Sequence, residues 1–507
     1  MPQRSTEDET MMEHTTISLT PEAALKAYDG VNLIGGARKT SAATLAVTNP
    51  ATGKTLGRAA AADAAETDAA VAAAKAAFRG WADLPARDRG KRVAAAGRAL
   101  GAEAETIARL LAMETGKALR TECRGELTVA ADLLEFYGGL GSELKGETVP
   151  YNPRMLTMTT REPLGVVAAI LPWNVPLVLM MLKIAPALVA GNTVVVKASE
   201  EAPFATLQAA EIVAGFLPEG VLNVVCGTGV ECGAALTAHP DVAKITFTGS
   251  EAAGEIVYAA GAKRIVPVSL ELGGKSPMIV CADANLDRVV AGAISGMRFT
   301  RQGQSCTDAS RIYVHADLME AFMARIGEEL STLVIGDPLD EATDVGTIIS
   351  ARQKATIDRF VALAEETEGA QVIRSGALPT DPALSPDLFM QPTLIAGLPE
   401  DHPCVTDEIF GPVAVVQSWT DYDDVIARAN DSRYGLAATV WTTNIATALD
   451  ATARLEAGYV QVNQNLTIQP NVSYGGFGRS GLGKEASLEA MVEHFTRKKT
   501  IVMSFDA

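Results

Sequence analysis

Cys306 and Glu271 are the two side chains with the plainest chemistry. Cys306 lies in Arg301-Gln302-Gly303-Gln304-Ser305-Cys306-Thr307, and Glu271 opens Glu271-Leu272-Gly273-Gly274-Lys275 upstream of it. A thiol with a small thiolate fraction at neutral pH is a good nucleophile, and covalent capture splits one hard step into two easier ones. A carboxylate held nearby serves as general base toward water. One group to capture a carbonyl and one to release the product suit the oxidation of an aldehyde to an acid. Taken alone, each residue has a blander reading: a scattered cysteine as a small core residue, a glutamate as a helix cap or surface charge.

Further segments stand around this pair. Pro172-Trp173-Asn174 and Phe247-Thr248-Gly249-Ser250 precede Glu271, and Glu408-Ile409-Phe410-Gly411-Pro412 follows Cys306. Any one is weak; five in this order and rough spacing resemble the aldehyde dehydrogenase superfamily, and the resemblance runs over nearly the whole chain. It implies an NAD(P)-dependent, non-acylating enzyme in which Cys306 attacks the carbonyl. The Asn174 amide and the Cys306 backbone N–H would hold the oxyanion, and Glu271 would activate the water that hydrolyses the thioester. Lys197 enters both the catalytic and the cofactor sets. The cofactor set is Trp173, Lys197, Glu200, Gly229, Phe247, Gly249, Ser250, Leu272, Glu408 and Phe410. Within it, Lys197 and Glu200 would bind the adenosine ribose, Glu408 the nicotinamide ribose, and Phe410 would wall the ring. Val175, Val178, Leu182, Thr300, Ser305, Thr307, Leu466, Ile468 and Tyr474 would line the substrate tunnel. Most are aliphatic or small, which reads either as core filling or as a roomy apolar tunnel for a bulky aldehyde, aromatic ones included. Arg301 reads as a structural ion pair or as an attractor of acidic substrates. Tyr474-Gly475-Gly476-Phe477-Gly478 resembles the family's closing segment, with Tyr474 where phenylalanine is usual.

The residues themselves give these roles physical content. Asn174, among Trp173, Pro172 and Pro176, sits where a strand ends; losing a preplaced oxyanion donor typically costs ~10²–10³ in rate. By itself it reads as an asparagine satisfying its own turn. Lys197 and Glu200 follow Val194-Val195-Val196. A lysine there can also be a packed stem with a solvated amine. A carboxylate at Glu200 accepts from both ribose hydroxyls and repels a 2′-phosphate, which favours NAD, while Lys197 leaves NADP open. Gly249-Ser250 follows a strand and opens a helix, which places backbone donors at a phosphate. The standard GxGxxG is missing: after Gly227-Thr228-Gly229 the third glycine falls late, at Gly233. Gly274-Lys275-Ser276 imitates the tail of a P-loop, yet the required first glycine is Ser269, so a nucleotide hydrolase fails there.

Those residues need a framework. The runs 166–171, 193–197, 220–225 and 244–248 are short, apolar and mostly rich in β-branched residues, with helical segments at 178–189, 202–215 and 234–239 between them. Such alternation predicts a parallel sheet with helices on both faces and ligands beyond the carboxyl ends of its strands. A second alternating set spans 276–478. Before them, 31–58 reads as hairpins, 59–79 as an alanine-rich helix, and 87–120 and 127–144 as further helices; 498–505 reads as a strand. The expected fold is α/β, with two doubly wound parallel-sheet domains, a variant Rossmann cofactor domain and a catalytic domain, plus a small β oligomerisation arm. The expected divisions are a disordered tail at 1–20, an NAD-binding domain at 21–144 and 164–272, a catalytic domain at 273–480, and the arm at 145–163 and 487–507.

Bulk properties set the outer limits. A chain of 507 residues, 48% hydrophobic and 21% charged, is an ordinary globular composition with room for two or three domains. Its net charge of −18 disfavours nucleic acid and anionic membranes as partners. Six cysteines without zinc-like spacing read as reduced thiols of a cytoplasmic protein, with no metal. The apolar stretch 166–190 mimics a membrane span but is broken by Pro172, Asn174, Pro176, Lys183 and Pro186. The expected partners are a small-molecule aldehyde and a second copy of the chain, as a homodimer or homotetramer. Coenzyme-A-acylating chemistry and a non-catalytic binding role are the rival readings; Glu271 argues against the first and the intact Cys306, Glu271 and Asn174 against the second.

Overall fold

The computed structural model describes residues 18–465 and 468–505. Most of the expected tail (1–17) and Leu466 therefore lie outside the described residues.

Two large sheets organise the chain. The first has eight strands. Its five central strands are parallel, in the spatial order Leu222–Cys226, Thr193–Ala198, Val166–Ile170, Val242–Thr248, Val268–Glu271. The chain starts in the middle strand, Val166–Ile170, winds outward to one side, then returns to build the other. The order therefore reverses between Val166–Ile170 and Val242–Thr248, the crevice where open α/β sheets take ligands. Leu171-Pro172-Trp173-Asn174 leaves one of these strands and Gly249-Ser250 the other. The edges depart from the all-parallel expectation. Val31–Ile34 pairs antiparallel with Leu222–Cys226, and Gly481–Leu482 antiparallel with Val268–Glu271.

Alternation explains why these strands read as unbroken apolar runs. Val167, Val194, Val196 and Val224 join one hydrophobic cluster, whereas Val166, Ala168, Val195 and Val225 join another. Successive side chains point to opposite faces, so a sheet covered on both sides must be apolar at every position. One cover is the helix Pro176–Ala190, all of whose 15 residues are buried. It starts with a proline at its first position and ends at Gly191, whose φ of 99° an L side chain would resist. No helix among the described residues is long and apolar enough to cross a membrane.

The second sheet has seven strands, parallel except for Gln371–Arg374 at one edge. Its strands Pro277–Val280 and Arg311–His315 begin just after Glu271–Ser276 and Cys306–Ser310. The carboxyl ends of one sheet thus face the strand starts of the other, and the reactive residues occupy the seam.

Two local expectations change. The alanine-rich stretch 59–79 is divided: Thr55–Ala60 is a strand paired with Thr44–Thr48, and the helix Ala64–Ala82 begins only at Asp63. Alanine propensity cannot see that Ala59 and Ala60 are buried. The capping box formed by Asp63 and Glu66 sets the true start. Near the end, Leu488–Phe495 is a helix packed on Pro176–Ala190. Only Thr496–Ser504 joins Met155–Pro163 and Thr148–Val149 in a separate three-stranded sheet.

Candidate active site

Cys306 is the one cysteine of six that keeps partial exposure; the other five are buried. It follows an unusual turn in which Arg298 and Gln302 hold positive φ (54° and 58°) ahead of Gly303 at 58°. At Gly303 the reason for glycine is contact, since a Cβ there would run into the Gly411 carbonyl oxygen. The nucleophile's turn is thereby pressed against the 408–412 loop. Gln304 ties it further, accepting from the Ile349 N–H at 3.0 Å.

Asn174 approaches from the first sheet and donates from Nδ2 to the Gln304 carbonyl at 3.1 Å. An amide has two N–H donors, so the second can face the cavity. The Asn174 loop is gripped from below. Lys117 donates to the Asn174 carbonyl at 2.8 Å and is ion-paired with Glu126, whose other oxygen accepts from the Leu177 N–H at 2.8 Å. All three groups are buried. Neither Lys117 nor Glu126 was singled out from the sequence, where both look like ordinary surface charges of a helical region.

Electrostatics in the seam are dominated by loss of water. Burial pushes the Cys306 thiol up to about 11, with smaller contributions from Glu408, Glu271 and Asp308, while its hydrogen bond with Tyr474 pulls it down. The two groups are 3.3 Å apart. Tyr474, itself raised by burial, keeps its proton and so is the donor whenever the sulfur is anionic. Burial also raises Glu271 well above the usual carboxylate range, helped by the charge of Glu485 and opposed by Lys183 and Lys484. Its Oε2 has no hydrogen-bond partner among the described residues. Beyond it, Lys183 and Glu485 form a buried ion pair at 2.7 Å. A lone lysine inside an otherwise apolar buried helix was the sequence signal for that pair.

The residues expected to hold a cofactor come mostly from the carboxyl ends of the first sheet's strands and from the 408–412 loop. Trp173 and Phe410 meet edge to face, 5.4 Å between ring centroids. Glu408 accepts from the Gly274 N–H at 3.0 Å, and burial pushes it up to about 7. A Cβ at Gly273 would collide with the Glu408 carboxylate, so glycine lets that carboxylate lie on the backbone. Ser250 caps the helix Glu251–Arg264 and Phe247 lies under Gly249. Leu272 donates its N–H to the Ser480 carbonyl at 2.9 Å and packs against Gly254. Gly229 opens the turn Gly229–Gly233, with no atom near a would-be Cβ. Lys197 and Glu200 pair at 2.9 Å at the end of Thr193–Ala198. Lys197 does not line the cavity at Cys306. A dinucleotide fits this donor set: a capped helix start at the sheet's reversal, a lysine and a carboxylate at the adjacent strand end, and the half-buried Glu408 on the loop that carries Phe410.

In front of Cys306 lies a cavity of about 250 Å³. Asn174, Val175, Val178, Ser305, Thr307, Ile468 and Tyr474 line it together with Cys306. Leu182 and Thr300 do not: Leu182 is in the core beneath, and Thr300 donates to Glu122. Arg301 is a structural pair, bound to Glu122 at 2.6 Å. The wall also holds Val129, Leu179 and Arg298, which sequence spacing did not single out.

The sequence profile of the aldehyde dehydrogenase family matches residues 37–501. The chain belongs to the aldehyde dehydrogenase family. It is 38% identical to a phenylacetaldehyde dehydrogenase of Pseudomonas fluorescens, across 97% of this chain and all of that one. It is 37% identical to a hydroxyisobutyraldehyde dehydrogenase of Mycolicibacterium austroafricanum, across 92% of each. Among solved structures, PnpE in complex with nicotinamide adenine dinucleotide matches with a TM-score of 0.91 at 35% identity, covering 95% of this chain and 98% of that one.

For this aldehyde dehydrogenase, Tyr474 gives a direct test of the thiol's environment. Tyr474→Phe removes the hydrogen bond that lowers the Cys306 pKa, so alkylation of Cys306 at pH 9 should slow by roughly 3–10-fold. An unchanged rate in a Cys306-specific iodoacetamide assay would show that the hydroxyl does not act on the sulfur. Gly303→Ala should destabilise the fold by about 2–3 kcal/mol through positive φ and the Gly411 contact, read as a lowered thermal midpoint.

Proposed function

We propose that this protein oxidises aldehydes to carboxylic acids with NAD, by covalent catalysis at Cys306 and hydrolysis promoted by Glu271. The observation that carries the reading is convergence: Cys306, Asn174 and Tyr474 line one cavity, Glu271 lies buried behind it, and Trp173, Phe410 and Glu408 gather on the cofactor side.

The chain's groups divide the work as follows. The Cys306 thiolate, accepting from Tyr474, adds to the carbonyl carbon and forms a thiohemiacetal. Its oxygen takes donors from Asn174 Nδ2 and the Cys306 N–H, placed before the charge develops. NAD, held by Trp173, Lys197, Glu200, Ser250, Glu408 and Phe410, would supply the hydride acceptor for that carbon. The resulting thioester is cleaved by water deprotonated at Glu271, which returns the thiol. The balance is RCHO + NAD⁺ + H₂O giving RCOO⁻ + NADH + 2H⁺. Glu271 does this only after losing its own proton, which Lys183 and Lys484 favour while burial and Glu485 oppose it.

Three finer points follow. Glu200 beside Lys197 supports NAD over NADP, because a 2′-phosphate would meet a carboxylate. The aliphatic wall of Val129, Val175, Val178, Leu179 and Ile468 supports a bulky aldehyde body, in keeping with the phenylacetaldehyde relative. The strand Thr496–Ser504 leaves Val502 and Met503 largely exposed beside Phe505, which supports self-association through the three-stranded sheet.

Stopped-flow absorbance of NADH with benzaldehyde separates the steps. Glu271→Gln should keep a burst of about one NADH per site while steady turnover falls by roughly 10²–10⁴; Cys306→Ala should abolish both phases. Full steady turnover in Cys306→Ala refutes the mechanism. Because burial raises the Glu271 pKa, wild-type kcat should climb with pH above the range where an ordinary carboxylate has already ionised, and Glu271→Gln should flatten that limb.

A further inference from the structure

The cavity in front of Cys306 is short of negative charge. Arg298, Arg301, Glu122 and Glu126 stand in its wall, with Lys117 behind. Both carboxylates are already occupied: Glu122 by Arg301 and Thr300, Glu126 by Lys117 and the Leu177 N–H. Arg298 has no carboxylate partner among the described residues. One terminal nitrogen donates to the Asn465 carbonyl at 3.3 Å, and its Nε is buried without an acceptor. Leu466 and Thr467, which follow Asn465, carry no charge. An arginine stays protonated in a protein, so three cations face two carboxylates. A cation whose Nε is buried without a partner is costly to keep, and a neutral aldehyde offers it no counter-charge.

We propose that the preferred substrates are aldehydes carrying a carboxylate at the end remote from the carbonyl, with Arg298 as the group that receives it. This rests on the aldehyde oxidation proposed above. A planar guanidinium matches a carboxylate with two parallel N–H donors. Val129, Val175, Val178, Leu179 and Ile468 hold the apolar body between the two polar ends. A neutral aldehyde of the same shape leaves the Arg298 charge desolvated and unpaired, so the residue discriminates by penalty as well as by attraction. The rival role for Arg298 is support of the Cys306 thiolate, which would affect every aldehyde alike.

The test uses matched pairs on the full-length enzyme with NAD: 4-formylbenzoate against 4-methylbenzaldehyde, and 5-oxopentanoate against pentanal. In at least one pair the carboxylate member should have kcat/KM higher by about tenfold or more. Arg298→Gln should shrink that ratio below about threefold, mainly through KM, and Arg298→Lys should retain part of it. Equal kcat/KM in both pairs, or a ratio that Arg298→Gln leaves intact, overturns the proposal. Equal losses on both members also overturn it and assign Arg298 to the thiolate. A second readout needs no turnover: by calorimetry terephthalate should bind about tenfold tighter than 4-methylbenzoate, and Arg298→Gln should erase the difference. Terephthalate binding through Arg298 without any aldehyde oxidation would sink the activity and leave the carboxylate site. Oxidation without carboxylate preference would do the reverse.

Discussion

Between the carboxyl ends of one sheet and the strand starts of the other, Cys306, Glu271, Glu408 and Asp308 are all withdrawn from water, and each is pushed toward its neutral form. Four anions could not share that seam. As neutral acids they can, and burial favours that form for each of them. This constraint explains why the thiol depends on a hydroxyl donor, and why Glu271 lies against a lysine–carboxylate pair. It also makes the chemistry sensitive to small displacements, because in a poorly solvated space each hydrogen bond counts for more.

Holding such a seam in register requires rigid anchors on both sides. On the first sheet the anchor is the Lys117–Glu126 pair, which clamps both the backbone that presents Asn174 and the start of the helix that follows it. On the second it is the tight turn through Gly303, pressed onto Gly411. Asn174 and Gln304 join the two halves directly. Buried ion pairs contribute little net stability but are costly to break, so they suit positioning better than bulk strength. Lys183–Glu485 has the same character, joining the first sheet's helical cover to a segment that returns from the far end of the chain.

The sequence carried its clearest information where local chemistry and tertiary role coincide. Strands buried on both faces must be apolar at every position, so Val166–Ile170 and Thr193–Ala198 were legible as runs. A cysteine among glycine and amides, a glutamate before paired glycines and an asparagine at a strand end were legible as a constellation once the motifs stood in order. Alanine content was a poorer guide, since Ala59 and Ala60 became a strand through burial that propensity cannot register.

What the sequence determined alone was the alternation of elements, the order of the reactive segments and their family, because these depend on residue type and spacing along one dimension. What only the tertiary structure decided was which charges meet. Glu126 reaches Lys117, Glu122 takes Arg301 and leaves Arg298 unmatched, Lys197 goes to Glu200, and Leu182 turns into the core while Leu179 faces the cavity. Pairing of charges and the facing of a buried helix depend on distances across chain segments far apart in sequence, and no local pattern encodes them.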